Sequence, residues 1–280
     1  MKRGDISRIL RTFGLIYFTD WIRFYIQKSK NKKENQLFKK NHPDVVLPPD
    51  YLMYESFQLN YKKYYIDSIE TAKWLSNHFE KHIELKNVRI LDWGCGPGRI
   101  VRHLPEILGY DNEYYGTDYN KKSIDWCKEN LKGISFNQNS LEASLPYTDD
   151  YFDVIYGISI FTHLSEQMHY EWYNELYRVL KPNGIMFLTT QGDNFKVKMT
   201  DAEIKDYQND QLIVRGKVKE GHRTYSAFHP KKFMHKLFDN AEILEHIETP
   251  YENGKVPPQD IWIIRKPLVN LENEEQSISN

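Results

Sequence analysis

The sequence predicts an α/β fold, a mostly parallel sheet of seven strands with helices on both faces, preceded by an N-terminal helical extension. Between residues 88 and 190, short apolar runs alternate with amphipathic stretches of helical period, the rhythm of strand–helix–strand units with right-handed crossovers. The first apolar run ends in VRILDWGCGPG, with glycines at Gly94, Gly96 and Gly98. A strand that runs into such a turn lets a ligand approach the backbone, because no Cβ stands in the way. In an open sheet of this kind ligands bind outside the carboxyl ends of the strands, so Asp92 to Gly98, Asp118, Asn139 and Ser159 fall along one functional rim.

The chain begins with a basic amphipathic stretch. From residue 6 to residue 26, Leu10, Phe13, Ile16, Tyr17, Trp21, Phe24 and Tyr25 recur at helical spacing. Lys2, Arg3, Arg8 and Arg11 precede them, and Arg23, Lys28, Lys30, Lys32 and Lys33 follow. A basic helix with Trp and Tyr on its apolar face suits peripheral contact with a membrane, and it also suits docking on the domain or on a second subunit. Charges at Arg11, Asp20 and Arg23 break the run and no small-residue cleavage site follows, so a cleavable signal peptide is not expected. No stretch reaches the roughly 18 uncharged apolar residues of a membrane span. Residues 29–50 are polar, then basic, then Pro-rich, and read as a linker. The expected organisation is an amphipathic helix and linker over residues 1–60 and a domain over 61–266 interrupted by an insertion at 191–229. An acidic, disordered tail is expected over 267–280.

Within the domain, a helix is expected over 62–82 with Ile66, Ile69, Trp74 and Leu75 inward. A strand at 88–91 leads to a helix at 99–108 with Ile100, Val101, Leu104 and Leu108 on one face. A strand at 114–118 precedes a helix holding Ile124, Cys127 and Leu131. Further strands fall at 134–137 and 152–159. Ser165 caps a helix to Leu180 that points Met168, Trp172, Leu176 and Val179 at a core. Lys181-Pro182-Asn183-Gly184 stops it before a strand at 185–190. The rhythm then breaks. Thr200-Asp201-Ala202-Glu203 reads as a capping box, and 211–215 with 223–228 as an antiparallel pair, an excursion able to cover a substrate. After Pro230 a helix buries Phe233, Met234, Leu237 and Phe238, and strands at 241–248 and 260–265 close the fold.

Composition narrows the function. With formal charge −1 over 280 residues, no global field argues for a nucleic-acid partner. Two cysteines, Cys95 and Cys127, supply neither a disulfide framework nor a structural zinc site, which fits a reducing cytoplasm.

Taken together the motifs resemble those of class I S-adenosylmethionine-dependent methyltransferases over residues of about 60 to 266, which implies a Rossmann-like sheet whose last strand is antiparallel. LDWGCGPG resembles the family's first motif. The resemblance implies that Gly94, Cys95, Gly96, Gly98 and Arg99 meet the cofactor's amino-acid part, with Asp92 organising the loop. YYGTD resembles the second, which makes Asp118, with Tyr119 beside it, the acceptor for the two ribose hydroxyls of S-adenosylmethionine; a carboxylate suits vicinal hydroxyls through charge-assisted bonds. A helix cap is the plainer reading of Asp118. Asn139, Ser140 and Leu141 fall in the adenine region, and Gly157 and Ile158 in the stretch that lies along the methionine part. A third glycine at position 99 would mark a dinucleotide site; Arg99 stands there, which weighs against a nicotinamide dehydrogenase.

Methyl transfer is an in-line displacement helped by positioning, and a hydroxyl acceptor must also lose a proton. His163, just past the fourth strand, is the first candidate base, with His229, Tyr225 and His222 as further candidates. None has metal-ligand spacing, so no catalytic metal is expected. Asn-Pro-Pro-Tyr, Asp-Pro-Pro-Tyr and Pro-Cys signatures are missing, which leaves a small molecule or a glycan as acceptor. The segments FKKNHPDVVLPPDYLMYESF and FTHLSE are similar to those of bacterial methyltransferases of surface polysaccharide synthesis. That likeness implies a sugar hydroxyl on a glycan or lipid-linked saccharide, modified in the cytoplasm or at the inner face of the membrane. Another metabolite with an oxygen or nitrogen acceptor, or a catalytically silent cofactor-binding scaffold, remains as the alternative. Oligomeric state is not encoded in these patterns.

Overall fold

A computed structural model of the protein describes residues 3–252 and 254–268. Lys2 and the acidic tail from residue 269 lie outside the described residues. Four helices precede the domain: α1 (Arg3–Thr12), α2 (Ile16–Lys30), α3 (Lys32–Asn41) and α4 (Asp50–Ser56). Two expectations are corrected here. The single N-terminal helix is two, because Gly14 at φ 67° ends α1, with Gly14 N–H on the Arg11 carbonyl and Leu15 N–H on that of Leu10. The supposed linker at 29–50 contains α3, whose buried Phe38 and Asn35 pack the extension onto Tyr61 and its neighbours. One buried aromatic in ten residues is too sparse a period to read in the sequence.

The helix α5 (Tyr61–Phe79) starts at Asn60, whose side chain accepts the Lys63 N–H. Its buried stripe is Tyr61, Tyr64, Ser68, Ala72, Leu75 and Phe79; the expected Trp74 is exposed, and Ile66 and Ile69 are half-buried. The alternation that follows is β1 (Arg89–Trp93), α6 (Leu104–Leu108), β2 (Glu113–Asp118), α7 (Lys121–Asn130), β3 (Ile134–Gln138), β4 (Phe152–Gly157) and α8 (Glu166–Val179). β5 (Leu180–Thr190) begins earlier than expected, because Leu180 already pairs with Phe152 before the Pro182-Asn183 irregularity. α9 (Asp201–Gln208) carries the full Thr200–Glu203 capping box, and β6 (Ile213–Arg215) pairs antiparallel with β7 (Ser226–Phe228). α10 (Lys231–Leu237), β8 (Glu242–Ile247) and β9 (Asp260–Arg265) complete the chain.

The seven strands run in the order β3-β2-β1-β4-β5-β9-β8, with β9 antiparallel to both neighbours. Alternate residues of the central strands face opposite layers, as strand geometry requires. Ile90, Val154, Ile185 and Phe187 meet α5 and α7, whereas Leu91, Ile155, Met186 and Leu188 meet α8 and α10. Leu176 of α8 is fully buried in the second layer, so truncating it to Ala removes about 2–5 kcal/mol. The strand order reverses between β1 and β4. Both strands point their carboxyl ends at one rim, and every predicted cofactor loop opens there.

Candidate active site

At that rim lies a cavity of about 460 Å³, within the size range of small-molecule sites. Its floor is the loop after β1. Gly94 and Gly96 sit at φ 77° and 52°, a region costly for any residue with a side chain. A Cβ on Gly94 would stand 2.1 Å from the Ile160 side chain, and one on Gly96 2.9 Å from Ser56. Glycine thus keeps the backbone bare where the cavity touches it.

Asp118 lines the cavity and is buried. Its Oδ2 accepts the Gly96 N–H at 2.9 Å and its Oδ1 the Asn120 N–H at 2.7 Å. Burial raises its carboxyl above the ordinary range, opposed by those two bonds. The helix-cap reading falls to its neighbour, for Asn120, not Asp118, caps α7. Arg99 lines the same cavity, its guanidinium over the Phe57 ring at 4.2 Å and 3.2 Å from Ser68 Oγ. Burial lowers its pKa, and Tyr64 and Asp92 oppose the shift. Asp92 lies beneath the loop, outside the lining. Burial pushes its carboxyl up to about 7 against the pull of Tyr156 and Arg99, while the Asp118 charge adds to the rise.

Tyr119, Asn139, Ser140, Leu141 and Ile158 line the cavity as well, whereas Cys95, Gly98 and Gly157 do not. Cys95 turns inward with Sγ 3.3 Å from the Gly96 carbonyl, and Gly98 and Gly157 give room to Leu131 and Trp93. Asn139 Oδ1 accepts from Thr117 Oγ1 at 2.7 Å, which fixes its amide at the cavity wall.

Past β4, Ser159 holds a left-handed φ of 67°, a strained conformation of the kind that collects at functional sites. Its N–H donates to Thr189 Oγ1, and its hydroxyl meets Thr162 Oγ1 and Gln259 Nε2. This turn carries His163 to the cavity wall. Nδ1 of His163 lies 2.8 Å from the Tyr225 carbonyl, and a carbonyl only accepts, so Nδ1 bears the proton and Nε2 keeps its lone pair. Nε2 has no hydrogen-bond partner among the described residues. Burial lowers the pKa of His163, so the ring is neutral near pH 7.

The other candidate bases are not brought to the cavity. His229 is 2 % exposed, with Nδ1 accepting the Gln191 N–H at 3.2 Å and Nε2 2.9 Å from His169 Nε2. His169 Nδ1 donates to the Ser165 carbonyl at 2.7 Å, so its Nε2 accepts and His229 donates. Burial lowers both rings, His169 to about 4, and the pair serves as a neutral core tie. Tyr225 contributes its carbonyl rather than its phenol, and His222 bonds to Thr224 and packs on Tyr17. Outside the lining, His246, Glu248 and Asp260 bring ligand atoms within 4.8 Å of one another. His246 stacks on Trp262 at 3.7 Å and its Nε2 lies 3.1 Å from Asp260 Oδ2, which accounts for that pair without a metal.

Sequence reasoning missed the roof. α4 supplies Leu52, Glu55 and Ser56, with Phe57 just behind, and the insertion supplies Gly221 and Arg223. Glu55 accepts from Asn120 Nδ2 at 2.8 Å; burial first, then the Asp118 charge, raises its carboxyl. Arg223 donates to the Tyr54 carbonyl at 2.7 Å and lies 4.0 Å over the Tyr54 ring. Asp50 after two prolines is a helix-start signal that could have revealed α4. Arg11, read as a surface cation, is buried: its guanidinium donates to the Arg215 and Gly216 carbonyls at 2.9 and 3.0 Å and to that of Thr224.

Residues 90–184 match the family of methyltransferase domains. The chain therefore carries a class I methyltransferase domain in a Rossmann-like fold, and S-adenosylmethionine is the cofactor such a domain implies. Among individual proteins, it is 29% identical over 154 residues to a Mycobacterium ulcerans phthiotriol/phenolphthiotriol dimycocerosates methyltransferase, covering 50% of this chain and 54% of that one. A Lactobacillus johnsonii demethylmenaquinone methyltransferase is 27% identical, covering 45% and 54%, and an Arabidopsis thaliana cycloartenol-C-24-methyltransferase 32%, covering 48% and 38%. The chain spans about half the length of the curated relatives it matches. In fold it is similar to a SAM-dependent methyltransferase from Methanosarcina mazei, with TM-score 0.52 and 20% identity over 68% of this chain and 96% of that one. The cavity residues fit the cofactor: a buried carboxylate for hydroxyls, a buried guanidinium for a carboxylate, and bare glycine backbone between them.

Proposed function

We propose that the chain transfers the methyl group of S-adenosylmethionine to a hydroxyl of a lipid-carried acceptor, the saccharide of a lipid-linked glycan being the leading choice, with His163 as general base. When bound, the cofactor supplies a methyl group activated on a sulfonium. Asp118 and Asn139 hold its nucleoside end and Arg99 its carboxylate. With the cofactor bound, His163 Nε2 would take the acceptor's O–H proton as the acceptor oxygen displaces the methyl from sulfur, the S–CH3 bond breaking to leave a neutral thioether, and the Tyr225 carbonyl would stabilise the resulting imidazolium through Nδ1.

The observation that carries this reading is the single available lone pair of His163 at the cavity wall. A hydroxyl is a weak nucleophile until a base assists it, and a neutral imidazole aimed by a fixed carbonyl is suited to that task. The lipid-carried acceptor draws on the names of the relatives, which are methyltransferases named for phthiotriol/phenolphthiotriol dimycocerosates, demethylmenaquinone and cycloartenol. Those names also favour a second reading, methylation at carbon of an apolar acceptor.

Transfer of labelled methyl from the cofactor into membrane lipid extracts tests both. Label in the lipid fraction that hydriodic acid releases supports the ether product; label that resists it selects carbon methylation. Label confined to small soluble metabolites, or no transfer, would sink the lipid-carried acceptor.

A further inference from the structure

From the outer face of α1 and α2 we infer a docking surface for an anionic phospholipid bilayer. Phe13, Phe18, Trp21, Tyr25 and Ile26 are 72, 58, 54, 51 and 59 % exposed. Phe13 lies just past α1 and the other four on α2, flanking Phe24, which is buried against Tyr51 and Tyr54 of α4 and meets the Tyr25 ring edge-on at 5.1 Å. Phe18 stacks on Trp21, and Trp21 meets Tyr25 edge-on at 4.6 Å, so the face is one continuous aromatic ridge rather than scattered residues. An apolar ridge left bare at this size marks an interaction surface.

Charge selects the occupant. Residues 3–40 contain ten Lys and Arg against three Asp and Glu, in a chain whose total is −1, so the remainder of the protein is acidic. Arg23, Lys30, Lys32 and Lys33 are exposed, and no ion pair among the described residues holds them. A second copy would set these cations against each other; lipid phosphates would neutralise them. Trp and Tyr beside cations are also the residues that settle at headgroup depth. At 15 residues α2 is about 22 Å long, and no helix among the described residues is long and apolar enough to cross a membrane. The helix pair lies in the interface plane, with Phe13 and Leu15 exposed at the bend around Gly14.

The ridge is separate from the cavity, so its test reads lipid association and not methyl transfer. The full chain is mixed with vesicles of phosphatidylcholine alone or with phosphatidylglycerol, and association is measured by flotation and by sedimentation velocity. The expected result is binding to the anionic vesicles about tenfold or more above the neutral ones, weakening as salt rises. A Phe18→Ser, Trp21→Ser pair should abolish it, and an Arg23→Glu, Lys30→Glu pair, which leaves the ridge intact, should remove the anionic preference. Melting temperature and cofactor affinity serve as folding controls for both pairs. No association with either vesicle overturns the inference. So does self-association in vesicle-free buffer that the ridge variant abolishes while lipid binding is absent, which would assign the ridge to a second copy.

Discussion

Replacing Asp118 by Asn keeps the side-chain shape and removes the charge. Both carboxylate oxygens already accept backbone N–H groups, Gly96 at 2.9 Å and Asn120 at 2.7 Å. An amide has one acceptor and one donor end, so one of those N–H groups must face an NH2 and lose its partner. This costs about 1–3 kcal/mol of stability. Toward the cofactor, two charge-assisted bonds of about 1.5–3 kcal/mol each become neutral bonds of about 0.5–1.5 kcal/mol. The loss of about 2–3 kcal/mol weakens the Kd for S-adenosylmethionine roughly 30- to 150-fold. Titration calorimetry measures the affinity, and thermal melting the stability. The pH dependence adds a sign. Burial raises the Asp118 carboxyl, so wild-type affinity falls on the acid side as the group protonates, and the Asn variant lacks that limb. An affinity within threefold of wild type, or the same acid limb in both proteins, would refute the ribose assignment.

Other outcomes follow from the same geometry. His163→Ala lowers kcat about 10²- to 10⁴-fold with cofactor affinity nearly unchanged; because burial depresses its pKa, wild-type kcat is lost only on the acid side of the ordinary imidazole range, a limb missing from the variant. Asp92 has a folded pKa of about 7, above its unfolded value, so its contribution to stability is full in acid and lost as pH rises through 7. Without cofactor, Asp92→Asn therefore melts higher than wild type above pH 7, and the gap closes toward pH 4; a constant gap contradicts the burial argument. Arg11→Met strips three carbonyls of a buried donor and lowers stability by about 2 kcal/mol, seen as a Tm drop of a few degrees. Because Thr224 adjoins the Tyr225 carbonyl that holds His163, the same variant should shift the acid limb of kcat.

The sheet was legible because strands buried on both faces read as apolar runs, and the helices between them show a strong 3.6 period. The cofactor loops were legible for a related reason: each follows a strand, and their glycines and acid are spaced by the sheet itself. The roof was not. α4 is seven residues long, too short to display a period, and Glu55 and Arg223 meet only through the tertiary fold. Periodicity also misled at α5, where tyrosines, serine and alanine fill the buried stripe and the larger Trp74 stays outside. Distinguishing His163 from His229 needed three dimensions too, since both follow strands and only the partner of each ring separates a wall residue from a core tie.

The cover of the cavity is stitched by bonds that join the N-terminal helices to the insertion: Arg11 reaches Thr224 across 213 residues, and Arg223 reaches Tyr54 across 169. During synthesis the first four helices leave the ribosome long before their partners exist. At the usual elongation rates the wait is on the order of 10–30 s. Over that interval Tyr17 of α2 and Tyr54 of α4 lack the insertion residues His222 and Arg223 that pack on them in the folded protein. The same long closure means that a truncated product lacking the insertion retains β1 to β5 but never encloses its site.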